Sequence, residues 1–415
     1  MASNILYPVL AASLSRTFAE LIIFGYVPLY LYSAGERRIL QLALITAVPA
    51  LIRFVAANVW GALADVTGRL KLPMLAGLAG YAVTGVGLLF VSTGLQAVAV
   101  VSSGALFFAG LSPAGKALVS LRPGPAGTPG RALAWWLQLE SWGWMLGSLA
   151  VAMRGSTGAP GRNLLAVAAG LAAMVALWVA IAVPEQRRLE PDAEGQRGRG
   201  LDALRHAAAQ FAALAHEWRR LYGHPLLVRL FTVFSLATLA GEASFTVFGF
   251  YVVGLLGGSE ALYGTALTIA TAFGLVAYAW LGAPGRHPPP GTLLVAGGSL
   301  YTLMYAAMAA ASSALVAAAA FLLPVYALVR AGATWAAGSL TAASERGGGM
   351  GALDGAEAFS AVLGALMAGV VADAWGLRSV YVVATAVALL VTALAWSLKR
   401  RLEGAAPAVA GVRGV

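Results

Sequence analysis

The 415-residue sequence contains no cysteine, which removes disulfides, thiolate metal sites and thiol catalysis together. Charge is scarce, with Asp, Glu, Lys and Arg supplying only 11% of residues. The four histidines, His206, His216, His224 and His287, all fall in polar connecting stretches, so no histidine relay can run through the apolar segments. The phosphate loop Gly-x-x-x-x-Gly-Lys, the zinc motif His-Glu-x-x-His and the nucleophile elbow Gly-x-Ser-x-Gly are missing as well. Neither an enzyme nor direct ATP coupling within the chain is expected, and no cofactor or metal site is read in it.

Apolar residues fill the space left by these absences. They make up 60% of the chain, and the mean hydropathy is +0.80. A water-soluble domain could not hide that much apolar surface. A bilayer core about 30 Å thick needs roughly 20 apolar residues per helix. About twelve such stretches are read, near 6–32, 40–64, 71–92, 96–120, 131–153, 163–183, 227–254, 261–283, 291–311, 315–342, 350–372 and 379–398. The fold class expected is an all-α polytopic membrane protein. The Ala-rich run 306–320 blurs the join of the ninth and tenth segments. The first segment has no basic residue ahead of it and is too long for a signal sequence, so it is expected to remain as a span.

The net charge of +10 is distributed unevenly. With the N-terminus in the cytoplasm, the inner loops and tail carry about seventeen Lys and Arg. The outer loops carry five: Arg37, Arg38, Arg154, Arg162 and Arg378. That asymmetry follows the positive-inside rule and predicts a multi-pass protein of the cell membrane with both termini cytoplasmic. The basic balance is therefore topological, and no nucleic-acid partner is expected. The longest polar interval divides the chain into an N-terminal six-helix bundle over 1–184, a cytoplasmic linker over 185–225, a C-terminal six-helix bundle over 226–400 and a tail over 401–415. Within the linker, Leu201, Leu204, Phe211, Leu214, Trp218 and Leu221 recur at spacings that predict an amphipathic helix on the inner membrane surface.

The loop after the second segment reads Gly61-Ala62-Leu63-Ala64-Asp65-Val66-Thr67-Gly68-Arg69-Leu70-Lys71. It resembles the signature loop of the major facilitator superfamily, roughly Gly-x-Leu-Ala-Asp-Arg-x-Gly-Arg-Lys, and departs from it at Val66 and Leu70. Gly369 to Arg378 resembles the Gly-x-Arg turn between the last two helices of that family, and Gly161-Arg162 holds the equivalent place in the first half. Gly282 to Arg286 is a degraded counterpart of the first signature and lacks its acid. The resemblance implies two six-helix bundles around a cavity near the bilayer midplane that opens alternately to either side. It also implies that the signature acid bridges the two halves. Gly61, Asp65, Gly68 and Arg69 are accordingly expected to form an inner gate, with Asp65 reaching the glycines Gly347 to Gly351 ahead of the eleventh segment.

Charges inside the spans supply the remaining signal, because each costs roughly 2.5–3.5 kcal/mol at a helix centre unless paired or wetted. They are Arg16, Glu20, Arg53, Lys116, Glu140, Glu242, Arg330 and Glu357. Lys116 is close enough to a segment end to reach the inner surface. Arg16 and Glu20 are four residues apart on one helix face and could neutralise each other. In the resembled family helices 1, 4, 7 and 10 line the cavity, which implies substrate contact for Arg16, Glu20, Glu242 and Arg330. Ion pairs that merely hold helices together are the competing account. Glu140 is isolated among Trp135, Trp136, Leu137, Leu139, Trp142, Trp144 and Met145, and it becomes a candidate proton carrier unless Arg53 or another base neutralises it. Glu20 and Glu242 are further proton-coupling candidates. Gly143 and Gly147 on the same segment have the spacing of close helix packing. Tyr26, Tyr30, Tyr251, Trp335 and Thr334 could touch a substrate, but tyrosine and tryptophan near span ends read more readily as interfacial anchors.

The function expected is secondary transport of a small organic solute by alternating access, coupled to protons, by a monomer embedded in the lipid bilayer. Proton-driven efflux of apolar compounds or drugs is an alternative, weakened by Ser148 where drug antiporters carry proline. A non-transporting sensor or scaffold acting through residues 185–225 is a second alternative.

Overall fold

The computed structural model describes residues 3–67, 69–120, 131–158, 160–185, 208, 223–283, 288–341 and 346–410. Among these residues the chain forms twelve membrane-scale helices. α1 comprises Ser3–Glu20, a π-helical turn Leu21–Tyr26 and Val27–Ser33. α2 is Ile39–Thr67, α3 Lys71–Leu88, α4 the pieces Gly94–Phe108 and Leu111–Ser120, α5 Arg131–Thr157 and α6 Arg162–Ala182. α7 is Pro225–Gly249 followed by the π-helical turn Phe250–Leu255, α8 Glu260–Leu281 and α9 Pro290–Ala310. α10 comprises Ala314–Phe321 and Val325–Leu340, α11 is Arg346–Trp375 and α12 Leu377–Ala410. Eleven of these helical stretches are long and apolar enough to cross a membrane; α5 is not among them. Gln138, Glu140 and four tryptophans dilute its hydropathy.

Local sequence explains where the helices begin and end. The Thr93 side chain accepts from the Gln96 amide, and the Gln96 side chain answers on the Thr93 amide, closing a capping box at the start of α4. Ser313 caps α10 in the same way through the Val316 amide. The ninth and tenth segments therefore part at Ala310 and Ser313, inside the Ala-rich run. Glycines with positive φ, Gly35, Gly158, Gly257 and Gly376, follow α1, α5, α7 and α11, the places a six-plus-six repeat makes equivalent. The glycines Gly347 to Gly351 do not precede the eleventh helix as expected. α11 begins at Arg346, so they form its first turns.

The chain divides into two compact units. The first is Met1–Ala213 with Ser259–Thr268, holding α1 to α6 and the opening turns of α8. There α1 packs on α5 and α6, α2 on α4, and α3 on α4 and α6. The second is Leu214–Gly258 with Ile269–Val415, in which α7 packs on α11 and α12, and α9 on α10 and α12. Each contact of the second unit has its counterpart six helices earlier. The expected amphipathic helix of the linker lies outside the described residues.

Candidate functional site

In the first unit, small residues bring the charged ones together. A Cβ on Gly143 would stand 2.2 Å from the Leu14 carbonyl oxygen, and one on Gly147 2.9 Å from the Leu21 side chain, so α5 lies against the backbone of α1. Ser13 Oγ fixes the register by donating to the Trp136 carbonyl at 2.8 Å. The Trp136 ring is fully buried against Gly115 of α4, where a Cβ would come within 2.1 Å of the indole. Arg16 and Glu140 are thereby set face to face.

The result is an alternating chain of charge running from α5 through α1 to α2. Arg16 Nη2 is 2.6 Å from Glu140 Oε1 and Arg16 Nη1 is 3.7 Å from Glu20 Oε1. Arg53 Nη1 donates to the same Glu20 oxygen at 2.9 Å. Each carboxylate also has a neutral donor: Tyr81 Oη to Glu20 at 2.7 Å and Trp136 Nε1 to Glu140 at 2.7 Å. Three of the four charged side chains are at most 20% exposed, and Arg53 is at 35% the one open to its surroundings. Glu140 is thus not the isolated acid expected from its neighbours in sequence, because Arg16 rather than Arg53 reaches it. Arg16 and Glu20 do share a helix face, but their contact is the longest in the chain of four. Lys116 also lies within electrostatic reach of Glu20.

The second unit holds its own polar cluster. Arg330 of α10 pairs with Asp354 at 2.8 Å and with Glu357, both on α11. Tyr326 Oη donates to Glu357 at 2.6 Å, and the Arg330 guanidinium lies over the Phe234 ring of α7 at 5.7 Å. Glu242 of α7 sits where Gly364 of α11 leaves room, its Cβ 3.0 Å from the position a Gly364 Cβ would take. Asp354 escaped the sequence reading, although it stands three residues before Glu357 and hence on the same helix face.

A third pair lies within the first unit. Arg154, read as an outer-loop residue, belongs to the last turn of α5 and is bound to Glu260 in the first turn of α8. Gly155 and Gly264 let these helices touch backbone to backbone, with Cβ clearances of 2.3 Å to Ala261 and 2.4 Å to Ala152. Tyr26 and Tyr251, read as interfacial anchors, are fully buried, and Tyr251 Oη donates to the Met308 carbonyl at 2.6 Å. Tyr30, Thr334 and Trp335 keep partial exposure. Of the gate motif, Gly61 lies in α2 with open space around it and Arg69 is exposed; Gly68 and the Asp65 side chain lie outside what is described. The resembling turn at the end of α11 does a definite job. Gly376 takes φ +86°, and Arg378 Nη2 donates to the Ala311 carbonyl at 2.9 Å, closing the C-terminal end of α9. In the first half Gly161 has ordinary helical φ, and it is required instead by the Tyr26 and Tyr30 side chains pressed against it.

The sequence matches the family description Major Facilitator Superfamily over residues 1–343. The chain belongs to the Major Facilitator Superfamily. It is accordingly a multi-pass membrane protein and a transporter of that superfamily. Among curated proteins no sequence match is found. Solved structures of similar fold include the nucleoside transporter NupG, 13% identical with a TM-score of 0.72 over 95% of this chain and 99% of that one. A bacterial homologue of the human lysosomal transporter Spinster is 13% identical, with a TM-score of 0.74 over 96% and 97% of the two chains. The human organic anion transporter MFSD10 is 19% identical, with a TM-score of 0.61 over 95% and 99%. At these identities the likeness concerns the fold.

Proposed function

We propose that this superfamily member is a proton-coupled transporter that moves a small organic solute by alternating access. The observation that carries the reading is the Glu140–Arg16–Glu20–Arg53 chain, in which one guanidinium is shared between two carboxylates on different helices. Protonating Glu140 removes the partner that holds Arg16 closest and leaves its charge to Glu20. That in turn loosens Arg53, the member open to a ligand. Proton binding on α5 and solute binding beside α2 are so linked through α1, and by thermodynamic reciprocity each changes the affinity for the other. In this reading Arg16, Glu20, Glu242 and Arg330 contact substrate, Glu140 carries the proton with Glu20 and Glu242 as relays, and Asp65 with Gly61, Gly68 and Arg69 forms the inner gate. The excess of basic residues in the even-numbered connections supports a cell-membrane protein with both termini cytoplasmic. The bundles 1–184 and 226–400 move as the two halves around the linker 185–225, in a monomer.

Reconstituted protein in liposomes loaded with a pH-sensitive dye supplies the test, read as solute-dependent proton flux across an imposed pH gradient. The wild type is expected to couple the two fluxes. Glu140→Gln is expected to retain solute exchange and lose the dependence on the gradient. Solute movement indifferent to the gradient in the wild type would refute proton coupling.

A further inference from the structure

We infer that the second unit carries a binding site for an organic ammonium group, formed by Glu242, Tyr278, Tyr301, Tyr326 and Glu357. The assignment rests on the transporter reading and names the class of solute that reading leaves open. Four helices contribute besides α11: Glu242 comes from α7, Tyr278 from α8, Tyr301 from α9 and Tyr326 from α10. Tyr278, Tyr301 and Glu242 all lie within electrostatic reach of Tyr326, whose hydroxyl is bound to Glu357. Tyr278 and Tyr326 remain 39% and 48% exposed.

A second, independent feature is a buried hydroxyl beside this group. The Tyr305 hydroxyl is completely buried and has no hydrogen-bond partner among the described residues. Its ring stacks on Tyr301 at 5.3 Å, and it lies within electrostatic reach of Glu242. Both tyrosine oxygens converge on Gly241, where even an added Cβ would stand 3.4 Å from Tyr301 Oη and 3.8 Å from Tyr305 Oη. The absent side chain leaves the two hydroxyls facing the backbone of α7 one residue before Glu242. Buried polar groups without partners are rare, and each calls for an explanation, of which a bound polar group is one.

The chemistry selects the guest. An ammonium N–H donates to a hydroxyl oxygen or a carboxylate, and its charge is attracted by the faces of tyrosine rings. An organic anion would meet the carboxylates Glu242, Asp354 and Glu357, while the guanidinium of Arg330 is already taken up by two of them. A neutral apolar body would leave the Tyr305 hydroxyl unsatisfied. The ammonium group therefore fits, with its apolar remainder against Tyr278 and Tyr326.

Calorimetric titration of the purified full-length protein with tryptamine, protonated at pH 7, and with indole-3-propionate compares two ligands of one shape and opposite charge. Tryptamine is expected to bind saturably and at least tenfold more tightly. Glu242→Gln should weaken it at least tenfold, and Tyr305→Phe, which removes only the hydroxyl, should weaken it several-fold without affecting folding. Equal or weaker binding of the ammonium than of the carboxylate overturns the assignment, as does tryptamine affinity unmoved by Glu242→Gln and Tyr305→Phe. Binding is read here without a gradient, so its failure leaves proton-coupled flux standing, and failure of the flux leaves binding standing.

Discussion

Gly143 offers the sharpest quantitative test, since a single methyl group there should spread the two helices that carry the charge chain. The new Cβ would stand 2.2 Å from the Leu14 carbonyl oxygen and 2.2 Å from Thr17 Oγ1. Ordinary carbon–oxygen contacts begin near ~3.3 Å, so the deficit is about 1 Å. Thr17 can turn its side chain away, but the Leu14 carbonyl is part of the helix backbone and cannot. The strain must therefore appear as separation of α1 from α5, and overpacking of this kind costs roughly 1–3 kcal/mol. For a unit of some two hundred residues that amounts to a melting temperature lower by about 2–12 °C. The Arg16–Glu140 contact, now 2.6 Å, would open past hydrogen-bond length. Gly170 of α6 is the matched control, because a Cβ there meets nothing within 4 Å. Its change to alanine adds helix propensity worth up to about 1 kcal/mol in water and should leave melting unchanged or raised. Thermal unfolding of Gly143→Ala and Gly170→Ala in the same detergent decides the matter. Equal melting of the two variants would refute the close-packing account of α1 and α5.

Two more outcomes are expected. Arg154→Ala leaves Glu260 without its cation in a mostly buried place and should destabilise by roughly 3 kcal/mol, whereas the swap Arg154→Glu with Glu260→Arg should recover much of the loss in the same melting assay. Tyr81→Phe removes a hydrogen bond to a charged acceptor, worth roughly 1.5–3 kcal/mol; it should lower thermal stability while retaining the fold by circular dichroism, and undiminished stability would show that the Tyr81 hydroxyl contributes nothing to Glu20.

The spans were legible because hydropathy and length are properties of a local window. Their ends were legible where a cap spoke, as Thr93 and Ser313 do, and blurred where a charge sat on the last turn. Arg154 was assigned to a loop for that reason, although a helix end near the membrane boundary carries arginine readily. The list of charged residues was readable too, because an intramembrane charge is conspicuous against alanine and leucine. Which charge meets which was not. Arg16 stands four residues from Glu20 in sequence and binds Glu140 more closely, an outcome set by how near Gly143 and Gly147 let α5 approach. Tyr81 and Trp136 gave no signal at all, since one more aromatic residue in an apolar run looks like packing until its polar atom is located. The orphan hydroxyl of Tyr305 was invisible on the same ground.

The π-helical turns in α1 and α7 have a mechanical consequence. A wider turn holds one residue more than an α-helical turn, so α1 carries a surplus residue in its middle, directly after Glu20, whereas the turn of α7, directly after Gly249, closes that helix. Releasing that surplus into regular α geometry would turn everything beyond it by about 100° and lengthen the helix by about 1.5 Å. The segment Val27–Ser33 would then present different side chains to its surroundings with no change at Arg16. α1 thus contains a built-in screw thread, able to rotate Val27–Ser33 while Ser3–Glu20 stays fixed.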